Sequence, residues 1–260
     1  MTNIPIPFLA VYRRHCALFR PTETAEQKVQ LFYASYEDTS SLATIQSQLR
    51  NAHHIGIILS NGVPFLIHRN LNTPSHILNE DWQQLYPQSG LQKLQHQKLL
   101  SWDTILSYHV ELPPSAGALI PSQAQLQYYH HWVGILKDLA YRSASDGIYI
   151  GLYSDIAFIL ILQHHTLSYA NQFDLSNEHL TDALIYYLKA CQQTLDIPTN
   201  TLAIRLYGEI DDASNIHNAL QRYLPEVQLL KHPDTYYPQY HRFYDLFAAH
   251  YTVGLSHANH

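Results

Sequence analysis

Gly147–Lys231 reads GIYIGLYSDIAFILILQHHTLSYANQFDLSNEHLTDALIYYLKACQQTLDIPTNTLAIRLYGEIDDASNIHNALQRYLPEVQLLK, and its pattern decides the fold. It opens with three short apolar runs, Gly147–Tyr153, Ile156–Leu162 and Leu167–Phe173, each bounded by turn residues, as strands are. In Asn177–Leu195 the period changes: Leu180, Leu184, Tyr187, Leu188, Cys191 and Leu195 recur at helical spacing. Ser176 or Asn177 suits the cap of that helix, Glu178 its first turn, and Pro198 follows it. A fourth run, Leu202–Tyr207, precedes a helix capped by Asp212 with Ile216, Leu220, Tyr223 and Leu224 on one face; Val227–Leu230 is the last run. The order is β-β-β-α-β-α-β.

The preceding half reads less cleanly. Phe8–Phe19 alternates as one strand, with Leu9, Val11 and Ala17 on one face, and Val29–Tyr36 follows as its hairpin partner. Leu42, Ile45 and Leu49 mark a short helix over Ser40–Asn51. Ile55–Leu59 and Val63–Ile67 flank Ser60-Asn61-Gly62, whose Asn-Gly chemistry predicts a second hairpin. Leu78–Tyr86 suits a helical turn or two, and Gln83–Lys98, with Pro87 and Gly90, reads as loop and broken helix. Thr104–Leu112 is strand-like, and Ala118–Ile120 reads as another short strand. Pro121-Ser122 opens the longest expected helix, to Arg142, with Leu126, Tyr129, Val133, Leu136 and Ala140 on its apolar face. The polar break Ser143–Asp146 marks a boundary between lobes 1–143 and 144–260, and an aromatic helix, Tyr240–Tyr251, closes the second.

Composition narrows the classes. An apolar content of 46% is globular, while the charged fraction of 14% is low against about 25% for ordinary domains. A net charge of −6 and scattered basic residues, with Arg13-Arg14 the only adjacent pair, argue against nucleic acid. Cys16 and Cys191 sit far apart in apolar patterns, as small buried residues of a reduced, cytoplasmic protein do. The longest apolar run, Ile156–Leu162, is too short to insert across a bilayer, and the N-terminus lacks a basic region ahead of its apolar part.

A three-strand meander followed by alternating helices and strands is the order of an actin-like, ribonuclease H-like lobe. Two such lobes in tandem, α/β with mixed sheets, is the fold the pattern predicts. Three segments extend that reading: SDIAFILILQHHTLSYANQFDLSNEHLTDALIYYLKACQQTLDI, LYGEIDDAS and the terminal HRFYDLF. Together they resemble an uncharacterised Bacteroidetes family, a domain of unknown function with an actin-like ATPase fold. The resemblance covers most of Gly147–Tyr251 and implies a fold, with no established activity. More distantly, the architecture is similar to the cytoplasmic actin-like proteins of bacterial pilus and secretion machinery.

An actin-like ATPase holds nucleotide between its lobes, on two Asp-x-Gly hairpin turns whose backbone N–H groups approach the phosphates, with a Gly-Gly pair after a later strand. Here no glycine precedes Gly56, so the first turn is missing. The second turn is Leu152-Tyr153-Ser154-Asp155-Ile156, with Tyr153 where a glycine would give access and Asp155 the one acidic residue placed to act. Gly208-Glu209 keeps one glycine of the pair, and the carboxylate beside it repels a triphosphate. Ser154, Asp155, Gly208 and Glu209 are therefore the candidate cleft residues, while Gly208 as a tight turn and Asp155 as a turn residue account for the same pattern.

Other chemistry lacks a start. His53-His54, His130-His131 and His164-His165 are adjacent pairs, which rarely ligate one metal, and no HExxH or CxxC accompanies them. Nor is there a GxGxxG, P-loop or GxSxG. The carboxylate pairs Glu80-Asp81 and Asp211-Asp212 read as helix caps. Tyr240, Phe243, Tyr244, Phe247 and Tyr251 form an aromatic stripe that packs on its own lobe or, if exposed, binds a partner. The expectation is a bacterial pseudo-enzyme with no catalytic residue, cofactor or metal, acting as a protein-binding or scaffolding module. Its partner is another protein or a second copy; a divergent ATP-binding enzyme is the alternative.

Overall fold

Two five-stranded sheets carry the fold, and they share one strand order. A computed structural model of the chain describes residues 6–21, 29–176, 179–197, 202–210, 214–224, 226–230, 240–244 and 248. The chain divides into two compact units, the described residues up to Arg142 with Ala248, and Ser143–Tyr244.

In the first unit β1 (Phe8–Val11), β2 (His15–Pro21) and β3 (Val29–Ser35) form an antiparallel meander. Helix α1 (Thr39–Leu49) follows, its N-terminus held by Asp38, whose Oδ1 accepts from the Ser40 and Ser41 N–H groups at 3.1 Å each. β4 (His54–Leu59) returns parallel to β1. An insertion comes next: β5 (Phe65–Arg69), α2 (Ser75–Leu85), β6 (Leu94–Leu99) and β7 (Thr104–His109), whose strands make a separate sheet in the order β5-β7-β6. After the short α3 (Pro114–Gly117), β8 (Gln125–His130) pairs parallel with β4 and runs into α4 (His131–Tyr141), completing the sheet β3-β2-β1-β4-β8.

The second unit repeats the plan without the insertion. β9 (Gly147–Tyr153), β10 (Ile156–Gln163) and β11 (Thr166–Asp174) form the meander. Then α5 (Leu180–Thr194), β12 (Ile204–Gly208), α6 (Asn215–Tyr223) and β13 (Val227–Leu229) alternate, giving the sheet β11-β10-β9-β12-β13. β9 and β10 are buried on both faces, which is why they read as near-continuous apolar runs. On one face Ile148, Ile150, Ile159 and Ile161 pack with Leu184, Leu188 and Cys191 of α5 and Leu220 of α6.

Several expectations for the first unit are corrected. Phe8–Phe19 is two strands, not one, because Tyr12-Arg13-Arg14 turns the chain back on itself with Tyr12 N–H donating to the His15 carbonyl at 3.0 Å. Ile55–Leu59 and Val63–Ile67 are no hairpin: β4 pairs with β1 and β8, and β5 enters the inserted sheet. Leu94–Leu99 is a strand rather than loop. Ala118–Ile120 is turn rather than strand, with Leu119 and Ile120 N–H groups donating to the Ala116 and Gly117 carbonyls. The long helix expected from Pro121 is β8 followed by α4, because Gln125–His130 is drawn into pairing with β4.

The cap of α5 is His179 and not Ser176; that of α6 is Ser214, and Asn177 and Asp212 lie outside the described residues. Glu80 and Asp81 sit within α2 instead of capping it. Of the terminal aromatic stripe, Phe243 and Tyr244 are buried after a 3-10 turn at Tyr240–Phe243, while Phe247 and Tyr251 lie outside the described residues. Cys16 and Cys191 are buried free thiols, and among the described residues no helix is long and apolar enough to cross a membrane.

Candidate functional site

In the second unit the β9–β10 turn is only two residues, Ser154 and Asp155, between the paired Tyr153 and Ile156. So tight a reversal puts Ser154 in the left-handed region, φ 55°. That conformation aims the Ser154 N–H out of the turn, where Glu209 Oε2 accepts it at 2.6 Å. Glu209 reaches it because Gly208 ends β12 at φ 97°, opposite Leu152. A Cβ at 208 would collide with the Leu152 carbonyl oxygen. The Glu209 N–H donates to that same carbonyl at 2.6 Å, and the Ile210 N–H closes a three-residue turn on the Gly208 carbonyl at 2.8 Å.

The structure thus joins Ser154 to Glu209 directly and sets Gly208 beside them. Asp155 holds the hairpin to the chain after β11: its carbonyl accepts from Leu175 N–H at 2.7 Å, and the residue is 9% exposed. Tyr153 is buried, its ring edge-on to Tyr207 at 6.3 Å and to Phe158 at 6.2 Å. Tyr207 in turn contacts Tyr244 at 5.4 Å and lies over Gly151, where a Cβ would come within 2.5 Å of the ring. This end of the sheet is filled with aromatic rings.

A second carboxylate closes the other turn of β10. His164 and His165 both take positive φ, 52° and 57°, and their N–H groups donate to the two carboxylate oxygens of Asp146 at 2.6 and 2.9 Å. Those bonds hold the Asp146 carboxyl below its ordinary range.

The matching end of the first sheet is satisfied by different groups. Ser60 follows β4 as Glu209 follows β12, and its N–H donates to the Val11 carbonyl at 2.9 Å. Its side chain meets His131 Nδ1 at 3.1 Å, both residues fully buried. His130 ends β8 and caps α4, its Nδ1 accepting from Trp132 N–H at 3.3 Å. Burial, with His131 beside it, pushes the His130 imidazole down to about 3. Sequence reading weighed these histidines only as metal ligands and missed the pairing with Ser60; their position at a strand-to-helix junction was the available signal. Among the described residues no group of three His, Cys, Asp or Glu side chains is placed to hold a metal ion.

Two sheets with the order third, second, first, fourth, fifth strand, each a meander joined to parallel strands, define the actin-like ATPase fold. The chain is similar to a Bacteroides thetaiotaomicron protein with actin-like ATPase fold and unknown function: TM-score 0.68, 14% identity, covering 96% of this chain and 97% of that one. It is also similar to the type IV pilus biogenesis complex of PilM and PilN, with TM-score 0.55, 11% identity and coverage of 97% and 98%. The AlfA filament bound to AMPPNP follows, with TM-score 0.50, 9% identity and coverage of 96% and 97%. No curated protein matches the sequence. The chain belongs to the DUF3822 family of proteins of unknown function, whose model matches residues 71–227.

Proposed function

We propose that the chain is a non-catalytic, protein-binding or scaffolding module on a degenerate actin-like ATPase fold. One observation carries the reading: the Ser154 N–H, the hairpin donor that a phosphate would need, is taken at 2.6 Å by the protein's own Glu209 carboxylate. A bound triphosphate would have to displace that carboxylate and then sit against its charge. The rings of Tyr153 and Tyr207, both buried, pack edge-on at 6.3 Å at the same end of the sheet. Of its structural neighbours, PilM occurs in a complex with PilN and AlfA as a filament, so the same fold serves association with another protein or with copies of itself. The buried thiols of Cys16 and Cys191 support a reducing, cytoplasmic setting, and the net charge of −6 supports a partner other than nucleic acid.

A thermal-shift titration with Mg-ATP and Mg-ADP tests this. A ligand at ~100 times its dissociation constant stabilises by about 2.7 kcal/mol, a rise of several degrees. Millimolar nucleotide should leave the midpoint unchanged. A rise abolished by Asp155→Ala would establish the divergent ATP-binding enzyme instead.

A further inference from the structure

The inserted sheet of the first unit ends on β6, which pairs with β7 in the register Leu94↔His109 to Leu99↔Thr104. Val110 N–H donates to the Lys93 carbonyl at 2.9 Å, which continues that register with a hydrogen-bonded pair. Antiparallel pairs alternate between hydrogen-bonded and non-hydrogen-bonded. Gln95, Gln97 and Leu99 therefore turn their backbone groups toward β7, and Leu94, His96 and Lys98 turn theirs outward. The Leu94 N–H is used by the Leu91 carbonyl. His96 and Lys98, both exposed, each present an N–H and a C=O along the edge. The edge strand β11 differs: a register shift interrupts its pairing, and the Gln172 N–H is taken by Asn171 Oδ1 at 2.8 Å.

Charge distinguishes β6 as well. Lys93 and Lys98 stand at its two ends, and no Asp or Glu occurs between Asp81 and Asp103, in a chain of net charge −6. Leu91 and Leu100, exposed by 37% and 75%, flank the strand. We propose that β6 is a strand-addition site for an extended, acidic segment of a partner protein. The segment pairs with the backbone of His96 and Lys98, sets carboxylates against Lys98 on one face of the strand while Lys93 adds its charge on the other, and meets Leu91 and Leu100 with apolar residues. Main-chain bonds supply affinity in such a mode and flanking side chains supply selectivity. At ~3.3 Å per residue the strand offers about 20 Å of edge, room for five or six partner residues. Self-pairing would bring two lysine-bearing edges together, so a second copy is the poorer occupant.

The inference rests on the binding-module reading, and the two fail differently. The test uses the full chain and a short, end-capped, fluorescent peptide alternating valine and glutamate, with the valine–lysine peptide as control. Anisotropy should show binding of the glutamate peptide, weakening with salt, and about tenfold weaker binding of the lysine peptide. Lys98→Glu should weaken the glutamate peptide about tenfold. Lys98→Pro removes an outward N–H at an edge position where proline is tolerated, and should abolish binding with the unfolding midpoint retained. If Lys98→Pro does not fold, Lys98→Arg, which should bind as the native chain does, completes the comparison with Lys98→Glu. Equal binding of both peptides, binding of neither, or indifference to the Lys98 variants would overturn the proposal. So would a concentration-dependent dimer that Lys98→Glu dissolves, since the occupant would then be a second copy. A nucleotide-dependent thermal shift would sink the module reading and leave the peptide result intact.

Discussion

Glu209 behaves as a bound oxyanion would: it accepts the N–H that the left-handed Ser154 points away from its turn. What permits this is the glycine before it. At φ 97° an L side chain is strained, and any Cβ at 208 runs into the Leu152 carbonyl, which is backbone and already accepts the Glu209 N–H. Gly208→Ala should therefore cost at least about 2 kcal/mol, read from urea unfolding. Gly90→Ala is the control, because nothing lies within 4 Å of a Cβ there, and it should change stability by no more than about 0.5 kcal/mol. An equal effect at the two positions would show that the β12 turn does not depend on glycine.

At the scale of elements, α6 depends on its cap. It is nine residues long with Leu220 and His217 buried, and isolated helices of that length are marginal. Ser214 Oγ accepts from His217 N–H at 3.1 Å. Ser214→Ala should cost about 0.5–2 kcal/mol and raise amide exchange across α6 ahead of β9 and β10, whereas Ser214→Asp should retain the cap.

The cap also shows where sequence reading ends. Asp212 and Ser214 are both good capping residues, and only the backbone path decides between them. Strands of the second unit were legible because β9 and β10, buried on both faces, leave unbroken apolar runs between polar turns. Gln125–His130 was not: Leu126 and Tyr129 fall at helical spacing with Val133 of α4, and pairing with β4 overrides that local pattern. The turn at Tyr12-Arg13-Arg14 holds no Gly, Pro, Asn or Asp, so nothing marked it. Gly208-Glu209 and Ser154-Asp155 could be singled out from order alone. The bond between them could not, since it depends on two positive φ angles.

For the whole molecule, histidines held below their ordinary pKa shape the response to acid. His130 has a folded pKa of about 3 against an ordinary 6.5, from burial and the neighbouring His131. His68 and His96 are also lowered, by partial desolvation in both cases; His68 faces Asp81 at 3.5 Å, which partly offsets the effect, and adds to the lowering of His96. Each folded pKa lies below the unfolded one, so between them the unfolded chain binds a proton that the folded chain refuses. Stability then rises with pH, and acidification below 6.5 lowers it, for His130 with a slope approaching about 1.4 kcal/mol per pH unit. Carboxylates act in a different window. Asp38 and Asp146 have folded values below the ordinary 3.8, so their contribution is lost only as pH falls through that range. Denaturant midpoints measured from pH 7 to 5.5 therefore stay above the window of those two carboxylates. They should fall steadily across that interval, and His130→Asn, which keeps an acceptor for the Trp132 N–H but cannot take up a proton, should flatten the slope. A profile unchanged by His130→Asn would mean that water reaches His130 in the folded protein and that the burial of the β8–α4 junction is not what holds its proton off.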